Sequence, residues 1–160
     1  SKPTVIINTH YHWDHIFGNY LFLDSIILSH TRCREVIEDN WQSMLLKHQN
    51  LADREVEMRL PNLTFESGLC FPEDRVRIFY SPGHTIDSIS ILDEEDGILN
   101  AGDNVGDTEE EILPSLSCET TVYEETLQKY LALDFGLCVS GHNIVLRKNL
   151  FDRIKSELRT

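Results

Sequence analysis

Three histidines and one aspartate follow a short β-branched run near the start of this chain, and this cluster constrains the fold more than any other feature. The run at residues 4–8 is typical of a buried strand. The cluster falls within residues 9–15, and its members are His10, His12, Asp14 and His15. Imidazole nitrogens and carboxylate oxygens are the ligands that zinc-like ions prefer. The pattern therefore predicts a metal centre at the end of a strand.

The spacing within the cluster favours two ions over one. In an extended segment, residues two apart project to the same side, so His10 and His12 can hold one ion and Asp14 continues that side. His15 breaks the alternation, which fits a second ion about 3.5 to 4 Å from the first. A core histidine or a histidine-rich tag is the alternative interpretation. The strand before the cluster and the turn residues at 18–19 disfavour it.

Length and charge exclude several classes of protein. The chain has 160 residues, of which 41% are hydrophobic, so it can bury one sizeable core, and we expect a single domain over residues 1–160. Its net charge of -13 argues against a nucleic-acid partner. No apolar run approaches a membrane span, and no signal-peptide pattern opens the chain. We therefore expect a cytoplasmic protein that acts on a small molecule, with no nucleic-acid or membrane partner.

The cysteines give no metal or disulfide signature. They are widely spaced and include no CxxC pair, which favours free buried thiols and a reducing compartment. A catalytic cysteine stays open for Cys118 or Cys138, although nothing beside either one indicates activation. The four positions are Cys33, Cys70, Cys118 and Cys138.

A strand and two helices are predicted after the histidine cluster. The strand is the apolar run at residues 26–28, and a helix is predicted at residues 31–48, where apolar side chains recur at helical intervals. Thr31 is its expected N-cap. A shorter helix is predicted at residues 51–60, ended by Pro61. These helices would cover the metal site or form an outer layer.

Later strands also end at histidine or aspartate. The predicted strand at 76–80 leads into a Pro-Gly turn that carries His84. A hairpin with an Asp-Gly turn is predicted from strands at 88–92 and 98–101, and its second strand delivers Asp103. The remaining predicted elements are a helix at 121–134, a strand at 137–140 that delivers His142, and a helix at 148–159.

Other side chains carry weaker signals. We expect His30 and His48 to be structural or exposed rather than metal ligands. Thr85 and Ser88 are either turn residues or contacts that orient the metal ligands. The aromatic side chains that could line a substrate pocket or pack in the core are Tyr11, Trp13, Tyr20 and Tyr123.

Taken together, the motifs resemble the metal signature of the metallo-β-lactamase superfamily, in the expected order and over nearly the whole chain. The matching motifs are Thr9-His10-Tyr11-His12-Trp13-Asp14-His15, Pro82-Gly83-His84-Thr85, Gly102-Asp103 and Gly141-His142. The resemblance implies an α/β fold, an αββα sandwich with a metal site at one edge of its two sheets. It also implies two Zn²⁺ ions as cofactors, with iron or manganese as alternatives.

The resemblance implies a role for each ligand. The first ion would be held by His10, His12 and His84, the second by Asp14, His15 and His142, and Asp103 would bridge them. Three imidazoles on one ion leave a position open for water, as a catalytic zinc site requires. The implied enzyme is a zinc-dependent hydrolase in which a metal-bridging hydroxide cleaves an ester, thioester, lactone or phosphoester bond. Asp14 and Asp103 are the expected catalytic residues, Asp14 by orienting the nucleophile.

Details of the motifs narrow the function. Asp103 makes the chain more similar to glyoxalase II-like thioesterases, lactonases and phosphodiesterases than to the β-lactam hydrolases, which usually lack a bridging aspartate. Diiron relatives that reduce oxygen or nitric oxide commonly carry glutamate where this chain has His12, so hydrolysis is favoured. The alternatives are a non-catalytic metal-binding domain and a diiron redox protein of the same fold. Substrate choice is expected to come from the loops at 16–23, 31–71 and 104–120.

The chain departs from the family near both ends. Only nine residues precede His10, where the family has a block of strands, so we expect the N-terminal part of one sheet to be missing. The chain is then an excerpt of a longer protein, or a homo-oligomer or another chain segment completes the sheet, or the strands close differently. No helical domain of the glyoxalase II type follows His142, so its glutathione-binding residues have no counterpart.

Overall fold

A computed structural model describes residues 4–52, 55–142 and 144–158 of the chain. These residues form a mixed α/β fold with two sheets and four α-helices. The strands are β1 Val5–Ile7, β2 Ile26–His30, β3 Leu63–Phe65, β4 Gly68–Phe71, β5 Val76–Tyr80, β6 Ile89–Asp93, β7 Ile98–Gly102, β8 Leu137–Ser140 and β9 Val145–Arg147. The helices are α1 Trp13–Ile16, α2 Thr31–His48, α3 Thr120–Ala132 and α4 Leu150–Glu157. The chain divides into two compact units, which we call the first unit, Ser1–Glu66, and the second unit, Ser67–Thr160.

The first unit contains a parallel sheet in the order β1-β2-β3. Its central strand is apolar on both faces, and Ile27 and Leu28 are fully buried, as a parallel strand covered on both sides requires. Helix α2 has the predicted bounds. It buries Cys33, Ile37 and Trp41, which recur every four residues and so lie on one face.

Two local predictions for the first unit are wrong. His30, not Thr31, caps α2, because the His30 ring accepts a hydrogen bond from the backbone N–H of Arg32. The helix predicted at residues 51–60 does not form, since residues 55–60 have no regular structure and residues 53–54 lie outside the described part. A short 3-10 turn at Gln49–Leu51 continues α2 instead.

The second unit contains a six-stranded sheet in the order β4-β5-β6-β7-β8-β9. Neighbouring strands are antiparallel except β7 and β8, which are parallel and are connected through α3. Its core is made by apolar side chains of the sheet and of both long helices of this unit. The largest fully buried members are Tyr123, Tyr130, Phe151, Leu92, Leu99, Ile112 and Leu127.

The predicted elements of the second unit are confirmed within one or two residues at most ends. Strands β5 and β8 have the predicted bounds, and β6 and β7 form the predicted hairpin, with Gly97 at φ +64° in its turn. That φ lies in the left-handed region, which glycine adopts without a steric penalty. Helix α4 is shorter than the predicted 148–159, of which residue 159 lies outside the described residues. Among the described residues, none of the helices combines the length and apolarity needed to cross a membrane.

Candidate metal centre

Residues 9–18 of the first unit, which we call the histidine loop, are held closed by two buried asparagines. The amide groups of Asn8 and Asn19 exchange two hydrogen bonds, of 3.0 and 2.9 Å. Asn8 also donates to the backbone carbonyl of His15 at 3.0 Å, and both asparagines are 3% exposed. Because a buried amide that loses its partner costs free energy, this pair fixes the two ends of the loop. Sequence analysis placed these residues in a strand and a turn and did not detect the pairing.

Two imidazoles converge within this loop. Nε2 of His10 lies 3.0 Å from Nδ1 of His12, and the His10 ring is almost fully buried. The hydroxyl of Thr9 contacts the other ring nitrogen of His10, Nδ1, at 3.1 Å. That contact leaves Nε2 of His10 directed at His12. Two imidazoles that share one tetrahedral zinc ion, with Zn–N bonds of about 2.0–2.1 Å, hold their nitrogens about 3.3 Å apart, so this pair fits a shared ion.

Asp14 and His15 are placed by a helix rather than by the predicted extended segment. His12 is the N-cap of α1, so the strand-like alternation ends there and the next residues take helical geometry. Nε2 of His15 lies 3.6 Å from Oδ2 of Asp14. The His15 and His10 rings lie 4.1 Å apart between centroids. The loop thus presents all four predicted donors close together, although by a different backbone geometry.

His84 in the second unit is oriented by a backbone carbonyl. Its Nδ1 lies 2.8 Å from the carbonyl oxygen of Ser115, which can only accept a hydrogen bond, so Nδ1 carries the proton. Nε2 is then the ring nitrogen that can act as an acceptor or a metal ligand. It faces Oδ2 of Asp103 at 3.7 Å. A histidine fixed in this way is typical of metal sites, where the second ring nitrogen donates to a carbonyl or carboxylate.

Asp103 lies between the two histidines of the second unit. Its Oδ2 is 3.3 Å from Nε2 of His142 and 3.7 Å from Nε2 of His84. Gly102 precedes it at φ +54°, and the β7–β8 register shifts between Asn100 and Gly102. A bulge of this kind redirects the following side chain. The carboxylate therefore lies near both imidazoles, and its role as a bridge between two ions stays a prediction.

A buried polar network behind this group was not predicted. Asn104 is fully buried, and its Oδ1 accepts from the backbone N–H of His84 at 2.8 Å. Its Nδ2 donates to the carbonyl of Ser81 at 2.6 Å and to the Tyr130 hydroxyl at 2.9 Å. The Tyr123 hydroxyl donates to the carbonyl of Asn104 at 2.6 Å. Asn104 follows Asp103 directly in the chain, and its hydrogen bonds connect this position to the His84 turn and to α3.

The second unit also contains three titratable groups whose pKa values are raised because they are buried. Desolvation raises the pKa of Tyr130 to about 12 and that of the Cys138 thiol to about 12. It raises the pKa of Tyr123 well above the usual value. Tyr123 and Cys138 are both 0% exposed, so Tyr123 belongs to the core, and Cys138 lacks the exposure and the thiolate that a nucleophile needs at neutral pH. None of the four cysteines forms a disulfide, and the prediction of buried thiols is confirmed for Cys33 and Cys138, whereas Cys70 is exposed and Cys118 is half-buried.

The weaker candidates mostly have structural contacts. Both ring nitrogens of His30 are engaged, one by the α2 cap and one by the carbonyl of Glu66 at 2.8 Å. The His48 ring stacks on Trp13 with 5.1 Å between centroids. The hydroxyls of Thr85 and Ser88 are 2.7 Å apart and close the turn after His84. These contacts fit the expectation that His30 and His48 are structural.

Each unit on its own presents a donor set that suits a zinc-like ion. The first offers imidazoles and one carboxylate from the histidine loop, and the second offers two imidazoles around one carboxylate. The sequence model that describes the metallo-β-lactamase superfamily matches residues 1–142, which include every one of these donors. This chain belongs to the metallo-β-lactamase superfamily. Which of these donors would bind the first ion and which the second stays a prediction.

The relatives of this superfamily member agree on the fold. A lactamase-like protein, nscB, from Arthroderma gypseum is 26% identical over 141 residues, which are 84% of this chain and 44% of that protein. The DIM-1 metallo-β-lactamase exposed to ceftazidime has a TM-score of 0.75 at 18% identity, covering 96% of this chain and 66% of the enzyme. TTHA1623 in a di-iron-bound form has a TM-score of 0.69 at 18% identity, covering 96% of this chain and 76% of that protein. The chain thus spans less than half of the first relative and about two thirds of the second.

Proposed function

We propose that this superfamily member is a dinuclear, metal-dependent hydrolase, with zinc as the expected metal. The observation that supports it most is the carboxylate of Asp103 between two imidazole nitrogens, at 3.3 and 3.7 Å. A carboxylate whose oxygen lies near both imidazoles could serve as a ligand that two ions share. Each position of the family's metal signature carries a histidine or an aspartate in this chain. A missing ligand would favour an inactive metal-binding domain, and the motifs lack none.

In this proposal, the donors of both units would serve one centre. His10, His12 and His84 would hold the first ion, Asp14, His15 and His142 would hold the second, and Asp103 would be shared by both. Ions bound there would supply an activated water at neutral pH and a Lewis acid for the bond that is cleaved. The substrate would be a small molecule with an ester, thioester, lactone or phosphoester bond. The charge of -13 supports a small molecule over a nucleic acid.

The residues of the chain itself have defined tasks. Ser115 holds the proton of His84 on Nδ1, which keeps the Nε2 lone pair available as a ligand. Asp14 would accept a hydrogen bond from the activated water and so orient it. Its side chain is 30% exposed, so water reaches it. Asp103 would supply negative charge to both ions.

Metal analysis and a hydrolysis screen test this proposal together. We expect about two zinc-like ions per chain and turnover of at least one ester, thioester, lactone or phosphodiester substrate. Asp103→Ala should lower turnover by more than about 100-fold, since it removes the bridging ligand. Asp96→Ala is the matched control, because Asp96 is an exposed acid in the β6–β7 turn, and it should change nothing. Fewer than one ion per chain, or full turnover in Asp103→Ala, would overturn the proposal.

A diiron redox protein is the second candidate. The observation in its favour is the similarity to TTHA1623, which binds two irons in the named structure. Histidine and carboxylate donors bind iron as well as zinc, so the donor set does not separate the two. Tightly bound iron with a visible absorption band, together with oxygen consumption, would support this candidate. Zinc content with hydrolysis and no oxygen consumption would support the first.

A further inference from the structure

The first unit contains a cavity of about 580 Å³ beside two of its predicted metal ligands. His12 and Asp14 form part of its wall, and the remainder comes from the aromatic residues next to them and from one face of α2. A volume of this size lies in the range of small-molecule sites. The cavity is therefore large enough for the part of a substrate that extends away from the reacting bond.

The wall from α2 combines polar, apolar and cationic side chains. Asn40, Met44 and Lys47 are four and three residues apart, a spacing that places them on the same helix face. Asn40 and Lys47 are exposed, and Met44 is half-buried. A ligand in the cavity therefore meets a thioether and, further along the helix, an ammonium group.

The part of the wall next to the predicted ligands is aromatic, and its main ring is held by contacts. The Trp13 ring stacks on His48 with an interplanar angle of 10°, and it meets the Phe17 ring edge to face at 5.8 Å. These contacts hold the indole in one orientation. Together with Tyr11, it offers the cavity a flat apolar surface of the kind on which aromatic rings and acyl chains pack.

The charge of the cavity differs from that of the whole chain. The protein has 27 acidic and 14 basic residues, yet Asp14 is the sole acid among the described residues of the cavity wall. Lys47 has neither an ion pair nor a hydrogen-bonded partner within the described ranges. If Asp14 serves a metal, the ammonium of Lys47 is the remaining full charge of the wall, and it favours an anion.

We propose that this cavity selects substrates whose aromatic or acyl body carries an anionic group, a carboxylate or a phosphate, that Lys47 binds. This inference rests on the proposed function for the position of the reacting bond, at the donor residues His12 and Asp14. The body packs against Trp13 and Met44. The anionic group and the reacting bond therefore lie at different parts of one small molecule, which excludes unsubstituted alkyl esters as good substrates.

The last turn of a helix also favours a lysine for a reason unrelated to ligands. The partial negative charge of a helix C-terminus stabilises a cation there, and Lys47 lies in the last turn of α2. Lys155 lies in the last turn of α4 and does not line this cavity. Lys155→Gln is therefore the matched control for Lys47→Gln. Both changes remove a last-turn charge, and only one removes the predicted anion contact.

Binding can be measured without turnover. Trp13 lies in the cavity wall, whereas Trp41 is buried in the core, so quenching of tryptophan fluorescence reports on the cavity in a Trp41→Phe background. The probes are 4-hydroxybenzoate, its uncharged methyl ester and phenyl phosphate. They are titrated into the protein after removal of metal by a chelator and again after addition of zinc. Because Trp41→Phe could impair folding, calorimetric titration of the chain with both tryptophans provides a second measurement.

We expect both anionic probes to bind about tenfold more tightly than the methyl ester, as one charge-assisted hydrogen bond allows. Lys47→Gln should remove this preference, Lys47→Arg should keep it, and Lys155→Gln should leave it unchanged. The preference should also weaken as salt rises. Equal binding of charged and uncharged probes, or a preference that survives in Lys47→Gln, would overturn the inference. Anion binding without hydrolysis of any ester would leave the inference standing and count against the proposed function.

Discussion

The two units present metal donors in opposite ways. In the first unit, four donors fall within six consecutive residues, and one loop with one helical turn positions all of them. In the second unit, His84, Asp103 and His142 come from three separate strand ends, up to 58 residues apart, because 142 − 84 = 58. The first arrangement is set by local backbone geometry. The second exists only when long-range strand pairing is complete.

What fixes each donor set differs accordingly. One reciprocal amide pair between Asn8 and Asn19 closes the loop of the first unit. The second unit uses a network through Asn104, which links a turn, a strand end and α3 by side-chain hydrogen bonds. A network of this kind holds its members only while each one is satisfied. The second donor set should therefore be more sensitive to a distant change.

Among these substitutions, Asn104→Ala is expected to lower stability and zinc affinity the most. The substitution leaves the N–H of His84 and the carbonyl of Ser81 without their buried partner, so we expect about 2–4 kcal/mol of lost stability. Zinc affinity should also fall about 10- to 100-fold, because His84 loses its fixed position. Urea unfolding and a competitive zinc titration measure the two effects. Asn149→Ala is the control, since that exposed side chain makes no cap hydrogen bond.

If Asn104→Ala lost stability but bound zinc with full affinity, the network would only support the core. The two units would then differ only in how far apart their donors lie along the chain. The conservative change Tyr130→Phe separates these possibilities further, because it removes a single hydroxyl that contacts Ser90 and Asn104. It should cost about 1–2 kcal/mol and less zinc affinity than Asn104→Ala.

A smaller effect is expected from alkaline pH. Folded Cys138 keeps its proton up to about pH 12, whereas the unfolded thiol releases it near 9.0. Between these values the unfolded state binds fewer protons, so stability falls as pH rises, by about 1.4 kcal/mol per pH unit for one such group. Tyr130 adds a similar contribution from 10.0 upward.

Urea unfolding followed at pH 8, 9, 10 and 11 checks the alkaline prediction. In Cys138→Ala the loss between pH 9 and 10 should be shallower, while the absolute stability is lower because a core side chain has been shortened. Stability that stays constant up to pH 11 would contradict the prediction. Cys138, Tyr123 and Tyr130 of the second unit all have raised pKa values, so this unit should contribute to the effect.

The smallest effect is expected in the first unit, for His30→Ala. The change removes the α2 cap and the hydrogen bond to Glu66, at a cost of about 1–2 kcal/mol. The metal content should not change, because both ring nitrogens of His30 already have protein partners. Zinc analysis of the variant checks this, and a drop in bound metal would make His30 a ligand. Thr31→Ser, which keeps the hydroxyl that donates to Phe65, is the neutral control.

Most regular elements could be predicted from periodicity. Helix α2 and strands β5 and β8 have the predicted bounds because apolar side chains recur without interruption at the period of each element. The predicted helix at 51–60 failed, as its apolar residues contact the rest of the first unit from an irregular segment. Strands β3, β4 and β9, which have three or four residues each, were not predicted from the sequence.

The donors could be predicted, whereas the residues that hold them could not. Histidine and aspartate at strand ends stand out in a sequence because few structural roles require them there. Asn8, Asn19 and Asn104 are ordinary turn or strand-end residues until tertiary structure buries them. The sequence contains no sign of that burial, because the partners of Asn104 lie 20 to 26 residues away along the chain.

The parallel pairing of β7 with β8 has a kinetic consequence. Asp103 and His142 meet only after the chain has passed through α3 and returned beside β7, a long loop closure that is slow compared with the formation of a hairpin. The histidine loop, by contrast, needs only nearby residues. During refolding the second unit therefore becomes able to capture metal late, and zinc uptake by Asp103 and His142 would mark the arrival of the native sheet.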